Sequence, residues 1–378
     1  MKKLLLAVLF TVSFLPILGL QQVFAVDGDL FVSSRFTDQI LRYDRNTGAF
    51  IDAFVDTGDN GGLDEPVGLV FGGTDGNLYV ASRATDQILR YDRNTGAFMD
   101  AFVDTDDNGG LDEPVDLVFG PDGKLYVTSA LTDQVLRYDG ANGDFIDAFV
   151  DTDDNGGLDE PRALTFGPDG HLYVASRVTN QVLRYDGANG SFMDVFVAAF
   201  SGGLDVPRGL VFGGPDGNLY VTSWATDKVL RYDKDTGIFI DAFVDTDDNG
   251  GLDAPWDLVF GGSDGNLYVI GHRADGVLRF DKDNGDFIDT FVPSGSGGLD
   301  APFGLVFKPI AAPPVGGELL PIELTSLLLA GAQTPIAWMM YAFSALGIGA
   351  FLFTRNPNNV RNVKVILQDY LDRFSKTG

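Results

Sequence analysis

The hexapeptide DGNLYV at Asp75–Val80 decides the fold, because closely similar hexapeptides return along the chain at nearly constant spacing. The copies begin at Asp27, Asp75, Asp122, Asp169, Asp216 and Asp264, at intervals of 48, 47, 47, 47 and 48 residues. A period of this size is typical of solenoids and propellers, which repeat one structural unit. The repeat therefore has to be interpreted before any local motif.

Each unit contains four short β-rich runs separated by turns rich in Gly, Asp and Asn. In the second unit the runs are VGLVFG (67–72), LYVAS (78–82), QILRYD (87–92) and FMDAFV (98–103). Four antiparallel strands repeated six times predict an all-β, six-bladed propeller over residues 26–309. The chain begins with a second strand at Leu30 and ends with a lone first strand at Phe303–Phe307, so the two ends are expected to share one blade and close the ring.

The units resemble the NHL-repeat family and related six-bladed propellers, which include lactonase-like and gluconolactonase-like enzymes. The resemblance rests on the pattern P-x-G-L-V-F-G-P-D-G-x-L-Y-V followed by VLRYD, and it covers residues 27–309. It implies a propeller whose function ranges across the family from protein and RNA binding to hydrolysis. The lactonase-type relatives imply a divalent ion held in the channel by carboxylate and amide ligands.

The overall charge excludes one class of partner. The formal net charge of the 378 residues is −28; residues 26–309 carry −31, and the two ends of the chain are slightly positive. Such a surface repels nucleic acid phosphates and anionic lipid headgroups, so we expect no nucleic acid partner. The absence of Cys excludes a disulfide framework and a Cys-ligated zinc site.

Both ends of the chain predict export and membrane anchoring. Residues 1–25 match a secretory signal peptide that is cleaved after Ala25. Residues 310–335 form a Pro/Gly-rich linker and juxtamembrane segment, and the uncharged residues 336–353 match a transmembrane helix. Basic residues follow that helix, so residues 354–378 are expected in the cytoplasm as an amphipathic helix, with the propeller on the extracytoplasmic side of the cell membrane.

Comparison of the six copies locates a candidate ligand site. Residues present in every copy serve the blade, as Arg42 and its equivalents do, whereas positions that vary on a rigid scaffold are where sites are built. The loop between strands two and three and the loop between blades open on the same face of a propeller. The variable positions there predict a binding site at one mouth of the channel, with these candidate residues: Asp116, Arg162, Arg208, Trp224, Trp256, Asp257 and His272.

Three functions fit this mouth. The first is binding of an extracellular ligand or protein partner. The second is a divalent-metal-dependent, lactonase-like hydrolase or lyase in the channel, with His272 as a general base and carboxylates from Asp116 and Asp257, which are expected to face each other across the channel. The third is a structural role in the cell envelope. The chain has no nucleophile elbow, phosphate loop or HExxH motif, and no catalytic residue is assigned.

An acidic loop that precedes the first strand of several blades suggests a calcium site. DTDDNGGLDEP occurs at 104–114 and 151–161, DTDDNGGLDAP at 245–255, and a partial copy with Gly58 at 56–66. The spacing of its oxygen-bearing side chains matches the start of a calcium loop, although the usual glutamate at position twelve is absent. Two interpretations stay open: weak Ca²⁺ binding, or hinges with solvated acids. The predicted ligands are Asp104, Asp106, Asn108, Asp112, Asp151, Asp153, Asn155, Asp159, Asp245, Asp247, Asn249 and Asp253.

Overall fold

A computed structural model describes residues 28–309 of the chain. These residues form six four-stranded antiparallel sheets, which confirms the predicted six-bladed β-propeller. None of the helical segments between residues 28 and 309 is long and apolar enough to cross a membrane. The predicted signal peptide, linker, transmembrane helix and cytoplasmic tail lie outside the described residues.

The strands follow the order of the chain, four to a blade, except that the last strand belongs to the first blade. Blades 1 to 3 comprise β24 (Pro302–Phe307) with β1 (Leu30–Ser34), β2 (Gln39–Tyr43) and β3 (Phe50–Val55); β4 (Pro66–Gly72), β5 (Asn77–Ser82), β6 (Gln87–Tyr91) and β7 (Phe98–Val103); and β8 (Pro114–Phe119), β9 (Leu125–Ser129), β10 (Gln134–Tyr138) and β11 (Phe145–Val150). Blades 4 to 6 comprise β12 (Pro161–Phe166), β13 (Leu172–Ser176), β14 (Gln181–Tyr185) and β15 (Phe192–Val197); β16 (Pro207–Gly213), β17 (Asn218–Ser223), β18 (Lys228–Tyr232) and β19 (Phe239–Val244); and β20 (Pro255–Gly261), β21 (Asn266–Gly271), β22 (Gly276–Phe280) and β23 (Phe287–Val292).

The ring closes as the sequence predicts. Strand β24 pairs antiparallel with β1, with Leu30 opposite Phe307, and completes blade 1. The closing pair therefore joins segments about 270 residues apart by main-chain hydrogen bonds, and it removes the free edge that an open array of blades would leave. The four predicted runs of the second unit coincide with β4 to β7 to within one residue at each end.

The hydrophobic core lies between neighbouring blades. Tyr79 of blade 2 is fully buried, and its ring meets Phe102 of the same blade edge-on at 4.8 Å and Phe119 of blade 3 at 5.0 Å. The same three-ring contact recurs at every junction, with Phe31 replacing Tyr at the junction of blades 1 and 2. Edge-to-face aromatic pairs of this kind add to the burial energy and explain why these ring positions repeat.

A glycine in the turn between the third and fourth strands allows adjacent blades to approach. Gly143 has φ +79°, and a Cβ there would lie 1.7 Å from the main-chain oxygen of Phe102 in the preceding blade. No other residue type fits both the backbone conformation and the contact. This explains the invariant Gly of the D-x-x-x-G turns in all six units.

The arginine that recurs on the third strand of each blade stabilises its own blade. Arg231, for example, donates from Nε to Asp241 Oδ1 at 3.1 Å and from Nη2 to Asp241 Oδ2 at 2.5 Å. Its Nη1 also pairs with Asp216, in the turn between the first two strands, at 2.9 Å. All of these bonds lie within one blade, so these arginines brace strands and turns and do not link neighbouring blades.

Two kinds of loop open on the same face of the ring, as expected. The carboxylate of Asp86, in the loop between the second and third strands of blade 2, accepts the main-chain N–H of Glu113 at 2.9 Å. Glu113 ends the loop that leads into blade 3 and has φ +50°. Equivalent hydrogen bonds occur at every blade, in which a side-chain oxygen of Asp or Asn accepts the main-chain N–H. These bonds hold the inter-blade loops in place around the mouth of the channel.

Candidate functional site: a basic cavity at the mouth of the channel

A cavity of about 320 Å³ lies at the centre of this face. Of the predicted ligand-binding residues, Arg162, Arg208 and Trp256 line it directly. We call it the mouth cavity and define it by five arginines and the glutamates paired with them, together with an apolar wall. Its charged residues are Arg35, Arg83, Arg162, Arg177, Arg208, Glu65, Glu113 and Glu160.

On the side of blades 1 to 3, arginines and glutamates balance. Glu65 accepts a hydrogen bond from Arg35 at 2.5 Å and another from Arg83 at 3.0 Å. Arg83 also donates to Glu113. Two guanidinium groups therefore face two carboxylates, and the local formal charge is zero.

On the side of blades 4 and 5 the cations are in excess. One carboxylate oxygen of Glu160 accepts from Arg162 at 2.6 Å and also from Arg177. Arg208 forms no ion pair or hydrogen bond from its side chain to any residue between 28 and 309, although it is only 8% exposed. Burial, followed by the charges of Arg162 and Arg177, lowers the pKa of Arg208 to about 8. The site therefore contains a buried cation for which the described part of the protein supplies no anion.

The Nε atoms of the same five arginines are unsatisfied. The Nε atoms of Arg35, Arg83, Arg162, Arg177 and Arg208 are all buried without a hydrogen-bond partner among the described residues. Buried polar groups normally find partners, and a cluster of exceptions calls for an explanation. These Nε atoms have almost no surface open to the cavity, so a ligand there would bind the Nη groups of the same guanidinium groups.

Aromatic residues hold Arg208 from blades 5 and 6. Its guanidinium carbon lies 4.0 Å from the centre of the Trp256 ring and 5.7 Å from that of Trp224. Such cation–π contacts orient a guanidinium but leave its N–H groups without acceptors. Trp224 lies between Arg208 and Arg273, whose guanidinium carbon is 4.6 Å from the Trp224 ring.

His272 lies behind the cavity wall. Its ring is 5.4 Å from that of Trp256 and 4.8 Å from that of Phe303. Burial is the main cause that lowers its pKa, so the imidazole is neutral at pH 7. His272 therefore packs among the aromatic side chains of this wall.

Beneath the mouth cavity the channel narrows to a neck of about 20 Å³, which Asp116 and Asp257 line. The carboxylate oxygens of Asp116 accept the N–H groups of Leu117 and Leu164, and those of Asp257 accept from Leu258 and Leu305. Each aspartate thus joins the first strand of its own blade to that of the next. Burial raises the pKa of Asp116, and burial together with the charge of Asp116 raises the pKa of Asp257.

The side chains of the acidic loops take part in local hydrogen bonds. Asp104 accepts the N–H of Thr105 at 2.7 Å and a side-chain bond from Gln87 at 3.0 Å. The amide of Asn108 donates to the main-chain oxygens of Asp86 and Leu111, and its oxygen accepts from Gly110. The copies at Asp151 and Asp245 repeat most of this pattern. Asn108 and its equivalents therefore shape the loop, and calcium binding there stays a prediction.

The neck does not fit the divalent metal site that the lactonase-type resemblance implies. No group of three or more His, Asp or Glu side chains in residues 28–309 is placed to hold a metal ion. The two carboxylates of the neck already use both of their oxygens to accept main-chain N–H groups. We therefore derive no chemical step that depends on a metal.

The sequence profile of the SMP-30/gluconolactonase/LRE-like region family matches residues 37–273, and the chain belongs to that family. This confirms the resemblance to gluconolactonase-like propellers. A search of curated proteins found no match to this sequence.

Many solved structures are similar in fold. A chain of a nidogen/laminin complex is 17% identical with a TM-score of 0.59, and the alignment covers 74% of this chain and 98% of that one. A protein from Bacteroides caccae is 14% identical with a TM-score of 0.55, covering 75% and 99%. A catalytically inactive virginiamycin B lyase from Staphylococcus aureus, crystallised with quinupristin, is 14% identical with a TM-score of 0.51, covering 75% and 93%. At these identities the likeness establishes the fold alone.

Sequence comparison of the repeats found only part of this site. Arg35, Arg83 and Arg177 occupy a position that varies among the copies, but they were not among the candidate ligand-binding residues. Comparison of the repeats does not single out the glutamates, because they lie in the hinge motif GGLDxP. In this motif x is Glu in the first three inter-blade loops and Val or Ala in the last three. The change of x from Glu to Val at position 206 is the sequence feature that predicts this imbalance, because the blade that follows has Arg208 but no glutamate in its hinge motif.

Proposed function

We propose that this protein is a binding protein that takes a small anionic molecule into the mouth cavity. The observation that carries the proposal is Arg208, a buried guanidinium without a carboxylate partner among the described residues, in a cavity where five arginines face three glutamates. An isolated buried charge is costly, so it is normally compensated by a ligand or a partner. The volume, about 320 Å³, lies at the lower end of the range for small-molecule sites.

The charge distribution supports an anion in spite of the acidic domain. Clefts lined by one sign of charge concentrate ions of the opposite sign, and guanidinium forks bind carboxylate and phosphate oxygens in pairs. The Nη groups of Arg208, which have no hydrogen-bond partner among the described residues, supply donors, and Val67, Val115 and Phe303 line the apolar side of the cavity.

The test uses full-length protein and three probes of similar size: benzoate, phenyl phosphate and the neutral benzyl alcohol. Calorimetric titration at constant ionic strength should show binding of at least one anion and none of the alcohol. Arg208→Gln should weaken anion binding at least about tenfold, since hydrogen bonds to charged groups are worth about 1.5–3 kcal/mol. Binding of the alcohol as tightly as the anions, or anion affinity unchanged in Arg208→Gln, would contradict the proposal.

Membership of the SMP-30/gluconolactonase/LRE-like family favours a second candidate, a hydrolase or lyase acting in the channel. The relevant experiment is turnover of a panel of lactones with and without added divalent ions. Activity that depends on the ion and disappears in Asp257→Asn would favour the enzyme over the binding protein. Activity that survives this substitution would place the reaction elsewhere.

Export and anchoring are part of the same proposal. The propeller is then extracytoplasmic and residues 336–353 hold it to the cell membrane. Protease added to intact cells should degrade residues 26–320 and spare an epitope fused after Gly378. Loss of that epitope under the same conditions would exclude the single-span topology.

A further inference from the structure

The positive charge of the mouth cavity is concentrated on one side. On the side of blades 1 to 3, Arg35 and Arg83 share two glutamates. On the side of blades 4 and 5, Arg162 and Arg177 share the single carboxylate of Glu160, and the Arg208 side chain has no ion-pair partner among residues 28–309. We name Arg162, Arg177 and Arg208 with Glu160 the cationic sector. Its formal charge is two positive units, whereas the opposite side is neutral.

We propose that the anion taken by the mouth cavity carries two negative charges, which the cationic sector receives, and has an apolar remainder. The inference rests on the proposed function and names the chemical class of the ligand: a compact organic dianion such as a phosphate monoester. A dicarboxylate shares the same charge, and the experiment below separates the two sources.

Burial is the first reason for a dianion. Arg162 and Arg208 are each only 8% exposed, so bulk water screens their charges poorly. Glu160 can neutralise one of the three guanidinium groups, and a monoanion would neutralise one more. One buried guanidinium would then stay uncompensated, which is the arrangement that costs most. A dianion balances the sector.

The aspartates of the neck do not supply the missing charge. Both carboxyl groups accept main-chain N–H groups of Leu117, Leu164, Leu258 and Leu305, and neither forms an ion pair with an arginine of the cavity. Each carboxyl group uses both of its oxygens in these bonds, so the charge that remains on the pair is held by the four N–H groups. The cationic sector is therefore left to an external anion.

The wall opposite the charges determines the rest of the ligand. Val67, Val115 and Phe303 are almost fully buried in the ring and contribute an apolar surface to the cavity. A fully hydrated inorganic ion would leave this surface without a partner, whereas an aryl or alkyl group would cover it. Inorganic phosphate is accordingly expected to bind more weakly than its phenyl ester.

The decisive comparison is between phenyl phosphate and phenyl sulfate, which have the same shape. At pH 7.5 the phosphate monoester is largely doubly charged, since its second pKa is about 6, while the sulfate ester carries one charge. Calorimetric titration of the full-length protein should show phenyl phosphate binding at least about tenfold more tightly. Lowering the pH to 5 should remove most of this preference. A comparison of the affinities for phthalate and benzoate tests whether a dicarboxylate binds as well as a phosphate monoester.

Variants at Arg208 separate charge from folding. Arg208→Gln should abolish the preference for phosphate over sulfate, and Arg208→Lys should keep it at lower affinity. Lys282→Gln, in the turn between the third and fourth strands of blade 6 and outside the mouth cavity, also removes one positive charge and is the control that should keep the preference. Circular dichroism and thermal unfolding verify that each variant is folded.

The outcomes distinguish this inference from the function on which it rests. Equal binding of phenyl phosphate and phenyl sulfate, both lost in Arg208→Gln, would overturn the dianion while leaving an anion site. Binding of neither ester nor of any carboxylate would overturn both. A preference for phosphate that persists in Arg208→Gln would place the dianion outside the cationic sector and overturn the inference.

Discussion

Two sets of arginines in this propeller have opposite environments. The scaffold arginines, one on the third strand of each blade, donate from Nε and Nη2 to both oxygens of one aspartate at 2.5–3.1 Å. The mouth arginines have unsatisfied Nε atoms, and on blades 4 and 5 they outnumber their carboxylates.

The pKa values move in opposite directions for a physical reason. Hydrogen bonds that Arg231 donates to Asp241 raise the pKa of Arg231 above its usual value, because they stabilise the charged form. Burial and neighbouring guanidinium groups lower the pKa of Arg208. The same residue type therefore stabilises the fold in one place and destabilises it in the other, as is common where a site is arranged for a ligand.

The largest expected effect on stability concerns Trp256, which belongs both to the mouth cavity and to the hydrophobic core. Trp256 lines the mouth cavity but also packs on Phe303, with ring centres 3.9 Å apart, and joins two hydrophobic clusters. Trp256→Ala should lower the free energy of unfolding by about 3 kcal/mol, the lower end of the range for buried tryptophan because the side chain is half-buried. Urea unfolding followed by tryptophan fluorescence and circular dichroism measures this.

Trp224→Ala is the matched control. Trp224 contacts the Arg208 and Arg273 side chains but belongs to none of the hydrophobic clusters of the described residues. The substitution should cost less than half as much. Equal losses in the two variants would mean that the mouth wall and the scaffold cannot be separated at this point.

The next prediction compares one arginine of each set. Arg231→Met should lower the free energy of unfolding by about 1–2 kcal/mol, since it leaves Asp216 and Asp241 without their cation, although solvent screens the half-exposed carboxylates. Arg208→Met should raise it by about 1 kcal/mol in the absence of ligand, because an apolar side chain replaces an uncompensated buried charge. Chemical unfolding in ligand-free buffer tests both signs.

The two substitutions, Arg231→Met and Arg208→Met, are expected to change the free energy of unfolding in opposite directions. A loss of stability in Arg208→Met would show that Arg208 braces the fold like the scaffold arginines. It would remove the main argument for an anion site.

The sequence predicts the regular part of this molecule well and the irregular part only partly. Periodicity at Asp75 and its equivalents specifies blade number, strand bounds and ring closure, because each unit encodes the same local turns and the same aromatic contacts. Periodicity alone does not predict which aspartate pairs with each scaffold arginine. Arg231 and Asp241 are ten residues apart on adjacent strands, and only the register of β18 against β19 brings them together.

The site depends on contacts between different blades, which a repeat pattern does not encode. Of the residues selected by variation among copies, Arg162, Arg208 and Trp256 line the mouth cavity. The pairing of Arg83 with both Glu65 and Glu113 joins two inter-blade loops. Arg208 lacks a carboxylate partner because Val206 stands where the first three inter-blade loops have a glutamate. The charge balance of the cavity therefore depends on how loops from different blades are arranged around it.

The neck provides a smaller effect, a pH dependence of stability. Burial and then the charge of Asp116 raise the pKa of Asp257 to about 8. A carboxyl group with a raised pKa in the folded state binds a proton more tightly there than in the unfolded chain. Stability should therefore fall as the pH rises from about 4 through about 8. Between pH 5 and 8 we expect a loss of at least about 1.4 kcal/mol from this pair, the equivalent of one pKa unit.

Asp257→Asn isolates the contribution. His272, whose pKa is lowered mainly by burial, acts with the opposite sign below about pH 6.5 but is present in both proteins. Unfolding at pH 5 and pH 8 should show a smaller loss in the variant. An unchanged difference would mean that the neck carboxylates do not titrate in this range.

The smallest expected effect on stability comes from the acidic loops, whose charge is opposite to that of the mouth arginines. At a calcium concentration equal to Kd, each site that binds only the folded state adds about 0.4 kcal/mol to stability. The loops at Asp104, Asp151 and Asp245 each place a short 3-10 turn after the first aspartate, at 105–107, 152–154 and 246–248. The loop at Asp56, with Gly58 in place of the second acid, has no such turn. We therefore expect calcium to stabilise through the three complete copies only, with Kd near millimolar.

The matched variant is Asp106→Asn with Asp153→Asn and Asp247→Asn, which removes three charges and little volume. A calcium site would lose its response in this variant, and magnesium would act more weakly because it demands a tighter octahedral shell. Asn108 already uses its side chain to hold Asp86 and Leu111, so a calcium ion would have to share an oxygen that accepts from Gly110. If the wild-type melting temperature does not change at several millimolar calcium, the loops are hinges whose acids are solvated. The negative charge of this face would then act on ligands only through its long-range field, opposing the anion that the central arginines attract.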